Sequence, residues 1–156
     1  MKANGYRKTP VKEHKKQAAP IPTESQDQQA LFEWAALQRG KYPELDLLYH
    51  TPNGGSRSKA EAGRFKAEGV KAGVPDICLP VARGKWHGLY IELKRRRGGK
   101  VSDQQKAWVE SLAGQGYCVH ICQGWEAAAK AIIEYLTVII QIPKNGGKHE
   151  KPFSPE

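Results

Sequence analysis

Apolar and polar positions along the chain switch between a helical and a strand period, and the switches predict the elements. Thr23-Glu24-Ser25-Gln26 fits a capping box, and Leu31, Trp34, Ala35 and Leu37 then predict the buried stripe of a helix that stops at Gly40. Leu45 to His50 predicts a strand, ended by the turn Pro52-Asn53-Gly54-Gly55. Ser58 to Glu68 predicts a largely polar helix closed by Gly69. Val74 to Val81, interrupted at Pro75 and Pro80, and the cleanly alternating Gly88 to Lys94 flank a turn at Ala82–His87, which predicts an antiparallel hairpin. A second capping box, Ser102-Asp103-Gln104-Gln105, opens a helix that runs through Leu112 to about Gly114. Tyr117 to Cys122 predicts a strand and Trp125 to Leu136 an alanine-rich helix. The order α-β-α-β-β-α-β-α predicts an α/β domain, a small mixed β-sheet flanked by helices.

Length and composition narrow the class. With 156 residues, 39% of them hydrophobic, the chain suffices for one domain with one modest core. No apolar run reaches the ~18–20 residues of a membrane span, and the basic N-terminus has no hydrophobic segment behind it, so neither a membrane nor a secretory signal is expected. Three cysteines, loosely spaced, do not build a disulfide framework and point to a reducing, cytoplasmic setting.

Charge divides the chain further. Residues 1–22 carry six Lys or Arg against Glu13, a balance of +5, with three prolines and few large apolar side chains, as expected of a disordered basic arm. Residues 143–156, with three prolines and two glycines, are expected to be a disordered tail, which leaves residues 23–142 as the folded domain. Of its 16 basic residues, seven fall between Arg83 and Lys100, a focused patch of the kind that meets a polyanion or, more blandly, a solvated face.

The alternation in Gly88–Lys94 turns Leu89, Ile91 and Leu93 to one face and Tyr90, Glu92 and Lys94 to the other. Glu92 and Lys94 therefore stand ~6.7 Å apart at Cα on one face. Asp76 begins the preceding strand, 16 residues before Glu92, and a hairpin brings it to them. Two carboxylates and an ammonium at one sheet end suit Mg²⁺ or Mn²⁺, because hard cations take oxygen ligands. Such an ion lowers the pKa of water and neutralises a phosphate, and the lysine can orient or deprotonate that water. An exposed Glu–Lys pair beside an unrelated turn aspartate has the same spacing.

Gly73-Val74-Pro75-Asp76 followed by Glu92-Leu93-Lys94 resembles the PD-(D/E)xK nuclease signature. Glu24 with Gln28, the Pro52–Gly55 turn, the stretch Gly69–Asp76 and Ser102-x-x-Gln105-Lys106 resemble its VRR-NUC (virus-type replication-repair nuclease) branch, in order, over residues 23–136. The resemblance implies a restriction-endonuclease-like core and metal-dependent hydrolysis of DNA phosphodiester bonds. It implies Asp76, Glu92 and the Leu93 carbonyl as metal ligands, with Lys94 serving the nucleophilic water. Glu24 would be a further acid beside the metal, and Gln105 would support the site. One departure is Asp27, at a position usually apolar in that helix. Stand-alone members of the family are often small phage or bacterial proteins, some acting on branched DNA as dimers, and cutting two strands with one site per chain would favour a homodimer.

Arg95, Arg96, Arg97 and Lys100 directly follow the Glu-x-Lys strand, while Arg57, Lys59 and Arg64 come from the preceding helix region, so all suit a DNA phosphate path. Cys118, His120 and Cys122 alternate along one strand face, an arrangement better suited to a core cysteine and a satisfied histidine than to zinc, whose cysteine ligands usually come from loops. His50 fits packing or surface as well as DNA or metal. Trp86, beside Arg83 and Lys85 in the hairpin turn, could stack on a base. The alternative to a DNA endonuclease is a non-catalytic, basic nucleic-acid-binding module on the same fold. A degenerate nuclease should have lost Asp76, Glu92 or Lys94, and all three are present.

Overall fold

Both capping boxes form, and each starts a helix. The computed structural model describes residues 21–52 and 59–138. Helix α1 (Glu24–Gln38) begins where the Thr23 hydroxyl accepts from the Gln26 N–H and the Gln26 amide oxygen accepts from the Thr23 N–H. Strand β1 (Tyr49–His50), helix α2 (Lys59–Ala67), strands β2 (Ile77–Leu79) and β3 (Leu89–Lys94), helix α3 (Asp103–Gly114), strand β4 (Cys118–Gln123) and helix α4 (Trp125–Leu136) follow. The strands lie in the order β1-β2-β3-β4. The first three are antiparallel and β4 runs parallel to β3. A parallel neighbour requires a crossover, which α3 provides. This is the small mixed sheet flanked by helices that the element order predicts.

The core lies on the face of β3 that carries Leu89, Ile91 and Leu93, where α1 and α4 pack on each other and on the strand. Leu31 and Ala35 from α1 and Ala128, Ala131 and Ile132 from α4 close it. Alanines on the buried face of α4 bring its backbone near the sheet. Each fully buried leucine or isoleucine there contributes roughly 1.5–3 kcal/mol.

Several expectations change. Leu45–His50 is not one strand: Pro43–Leu47 is a 3-10 helix, and only Tyr49 and His50 pair with β2. Proline at its start suits a helical turn, and Leu45 and Leu48 are both buried three residues apart, a helical rather than a strand spacing. Leu37 is 83% exposed, because it lies about 200° around α1 from the buried Ala35. Strand β2 shrinks to three residues between Pro75 and Pro80. Trp86 is half-buried against the core with the Lys85 ammonium 4.6 Å from its ring centroid, so only part of its ring is open to stack on a base. Both faces of β3 are covered, and Glu92 and Lys94 are buried rather than solvated. The expected arm (but for Ile21 and Pro22), the expected tail, the Asn53–Ser58 stretch with Arg57, and residues 139–142 lie outside the described residues. No helix among the described residues is long and apolar enough to cross a membrane.

Candidate active site

Antiparallel pairing of β2 with β3 couples Ile77 to Ile91, which sets Asp76, one residue before β2, beside Glu92. Asp76 Oδ2 accepts the Leu93 N–H at 2.9 Å, so the aspartate is anchored to the strand that carries its partners. Its carbonyl takes the Thr51 N–H at 2.7 Å and lies 2.8 Å from His50 Nδ1, which ties β1 to the same point. Gly73, with φ +85°, makes this loop possible: a Cβ there would lie 2.8 Å from the Gln104 carbonyl carbon, so only glycine lets α3 come this close.

Glu92 is 1% exposed. Its Oε1 receives the Lys94 ammonium at 2.6 Å and the Gln105 side-chain amide. Gln105 serves twice, since its amide oxygen accepts the Ser102 N–H at 2.9 Å in the capping box while its nitrogen donates to Glu92. A local helix signal thereby positions a side chain in the site. Among the described residues, Glu92 Oε2 is buried with no hydrogen-bond partner. An unpartnered buried carboxylate oxygen is costly and needs a reason.

Burial pushes the Glu92 carboxyl up to about 7; the Lys94 ammonium pulls it back, and the Asp76 carboxylate adds to the rise. Burial also raises Asp76, opposed by the Leu93 N–H and by Lys94. Two desolvated carboxyls side by side resist holding two negative charges, and a cation between them would relieve both.

Glu24, in the first turn of α1, accepts the Arg95 N–H just beyond β3 at 3.1 Å through Oε1. Glu24, Ser25, Gln28, His50, Pro52, Asp76 and Leu93 line an open cleft of roughly 400 Å³. His50, left undecided between packing and a site role by the sequence, belongs to this cleft. The available signal was its place at the end of β1, beside the Pro52 turn.

The donor set suits a hard divalent ion. Among the described residues no three His, Cys, Asp or Glu side chains cluster closely enough to hold a metal unaided. Mg²⁺ does not require that, because it keeps several waters and binds through one or two carboxylates. Asp76 and Glu92 are the two here, with Glu92 Oε2 still without a partner among the described residues.

The expected phosphate path divides. Arg95, Arg97, Lys100 and Arg64 are exposed, with Arg64 3.6 Å from Glu68. Arg96 has other partners: its guanidinium binds Asp27 at 3.0 Å and Glu126 at 2.6 Å, and these hydrogen bonds raise its pKa further. Cys118 Sγ lies 3.4 Å from His120 Nε2, while Cys122 is buried in the core cluster, and burial pushes its thiol up to about 11.

Comparison with known proteins agrees with this architecture. The family model described as the VRR-NUC domain matches residues 22–126. A solved structure described as a VRR_NUC domain protein is similar at 33% identity and a TM-score of 0.67, over 78% of this chain and 93% of that one. None of the curated proteins compared matches the chain. With its mixed sheet, its helices and the span of that match, the chain belongs to the VRR-NUC domain family, a family of nuclease type.

Proposed function

We propose that this chain is a Mg²⁺- or Mn²⁺-dependent DNA endonuclease that hydrolyses phosphodiester bonds, with branched or junction DNA as its preferred substrate class. The observation that carries the reading is the pair of desolvated carboxyls, Asp76 and Glu92, with a buried Glu92 oxygen that lacks a partner among the described residues, beside the Lys94 ammonium. Family membership supports the nuclease class, and the net charge of +9 supports a polyanionic substrate.

In this reading Asp76, Glu92 and the Leu93 carbonyl would hold the ion, with Glu24 in the lining of the same cleft as Asp76 and Leu93. When bound, the ion supplies charge neutralisation at the scissile phosphate and a water of lowered pKa. The chain's residues do the rest. Lys94 orients the attacking water and stabilises charge as it develops on the phosphate. Gln105 holds Glu92 by one oxygen and leaves the other for the ion. The Leu93 N–H keeps the Asp76 carboxylate turned toward β3. Arg95, Arg97 and Lys100, exposed just beyond the strand, take flanking phosphates, as does Arg64 from α2. Branched substrates enter on family resemblance, and a homodimer would give such DNA two sites.

The test is direct: labelled linear, flapped and four-way DNA are incubated with the protein and Mg²⁺, Mn²⁺ or EDTA. Cleavage with either metal and none in EDTA is expected, fastest on flapped or four-way DNA. Binding without cleavage under every condition would favour the non-catalytic module, and equal rates on all three DNAs would remove the structural preference.

A further inference from the structure

A second buried carboxylate lies behind the cleft. Asp27, Leu31 and Ala35 form the buried stripe of α1, so an aspartate occupies a core position. Asp27 is 1% exposed. Its Oδ1 accepts from Arg96 Nε at 3.3 Å, from Arg96 Nη2 at 3.0 Å and from the Trp125 N–H, at the start of α4, at 3.3 Å. Arg96 reaches it from just beyond β3 by lying across Gly124, whose φ is +79° and where a Cβ would stand 3.0 Å from both Cγ and Nε of the arginine. The Gly124 N–H in turn donates to the Lys94 carbonyl at 2.9 Å.

These contacts bracket the site. One residue before Arg96, the Arg95 N–H holds Glu24; two residues before it stands Lys94. Glu24 and Asp27 share the first turn of α1. A shift of α1 along the strand end would move Glu24 away from Asp76 and Glu92, and a 1 Å misplacement of a reacting group can cost ~10²-fold in rate.

We propose that Asp27 and Arg96 are a positioning pair that locks the start of α1 to the end of β3 and so keeps Glu24 and Lys94 in register with Asp76 and Glu92. The proposal rests on the nuclease reading. It assigns Arg96 to the architecture of the site, unlike its exposed neighbours Arg95 and Arg97. Asp27 is shut away from any substrate, so a catalytic phenotype shared by the two residues separates this role from phosphate contact.

The test is a double-mutant cycle with Asp27→Asn, Arg96→Gln and the double variant in the full chain. It reads kcat, KM for DNA, DNA affinity in EDTA and melting temperature. Each single variant is expected to lower kcat roughly 10–100-fold with KM unchanged, the double variant to be no worse than the poorer single, and Arg96→Lys to recover part of the loss. DNA affinity in EDTA and its salt dependence should match wild type. If Arg96→Gln instead weakens binding and reduces the log–log salt slope by ~0.9 while Asp27→Asn does not, Arg96 is a phosphate ligand and the proposal falls. It falls equally if activity in every variant follows the folded fraction alone. Should Arg96→Gln not fold, Arg96→Lys replaces it in the cycle, with kcat expected between wild type and Asp27→Asn and with unchanged binding. Wild-type protein that cuts no DNA with either metal would remove the nuclease reading and this proposal together; wild type that cuts, with both variants at its rate, would remove the proposal alone.

Discussion

Glu92 and Asp27 are both buried carboxylates, each beside a basic side chain and each with one oxygen lacking a hydrogen-bond partner among the described residues. Their surroundings set them apart. Asp27 faces a guanidinium and a helix-start N–H. Glu92 faces an ammonium, an amide and a second carboxyl, Asp76, whose charge helps push it up to about 7. A carboxylate paired with a planar, permanently charged arginine can serve as structure. A buried carboxyl crowded by another acid is held in a costly state that a cation relieves. Burial and a nearby cation are common to both acids; the like charge of Asp76 beside Glu92 is what sets the two apart.

The largest expected effect tests the chemical half of that contrast. Asp76→Ala or Glu92→Ala should abolish DNA cleavage while binding in EDTA persists, since affinity rests on Lys and Arg. Full activity in either variant would remove the assignment. Next, Lys94→Met, which keeps the aliphatic stem, should lower kcat by roughly 10²–10⁴-fold, the range for positioned acid–base and electrostatic groups. A loss of kcat matched only by a loss of folded protein would make Lys94 a structural partner of Glu92 instead.

Stability gives a finer test, because the two acids should respond with opposite signs. Asp27→Ala strips the Trp125 N–H of its acceptor and opens the α1 seam, and should lower the melting temperature by about 5 °C or more. Glu92→Gln should raise it by a few degrees at about pH 8 and leave it nearly unchanged near pH 4. The sign follows from the raised pKa. Below the unfolded value near 4.5 both states are protonated; as pH rises toward about 7 the unfolded state ionises first, so wild-type stability falls, and above that the full penalty is present. The gap between wild type and Glu92→Gln should therefore open between about pH 5 and about pH 8, read by thermal melting across that range. Millimolar Mg²⁺ at about pH 8 should raise the wild-type melting temperature and leave Asp76→Ala unmoved. A Glu92→Gln variant less stable than wild type at high pH would mean that the Lys94 pairing outweighs burial.

The chain's local chemistry decided much by itself. Thr23 and Ser102 start helices because a hydroxyl and a glutamine three residues on satisfy backbone N–H groups within one turn, and nothing distant is needed. Alternation put Leu89, Ile91 and Leu93 into the core, and hairpin logic brought Asp76 to Glu92, because neighbours in a short hairpin are close in sequence as well. Other features were settled only when distant segments met. Pro43–Leu47 took a helical turn where apolar content predicted strand, since Leu45 and Leu48 reach the core only at that spacing. The charge on Arg96 reads in the sequence as one more candidate phosphate contact, and only the fold brings it to Asp27, 69 residues away. Residue identity supplied the groups and their faces. Tertiary structure decided which charges are free and which are taken, because burial and partners depend on segments that sequence separation keeps apart.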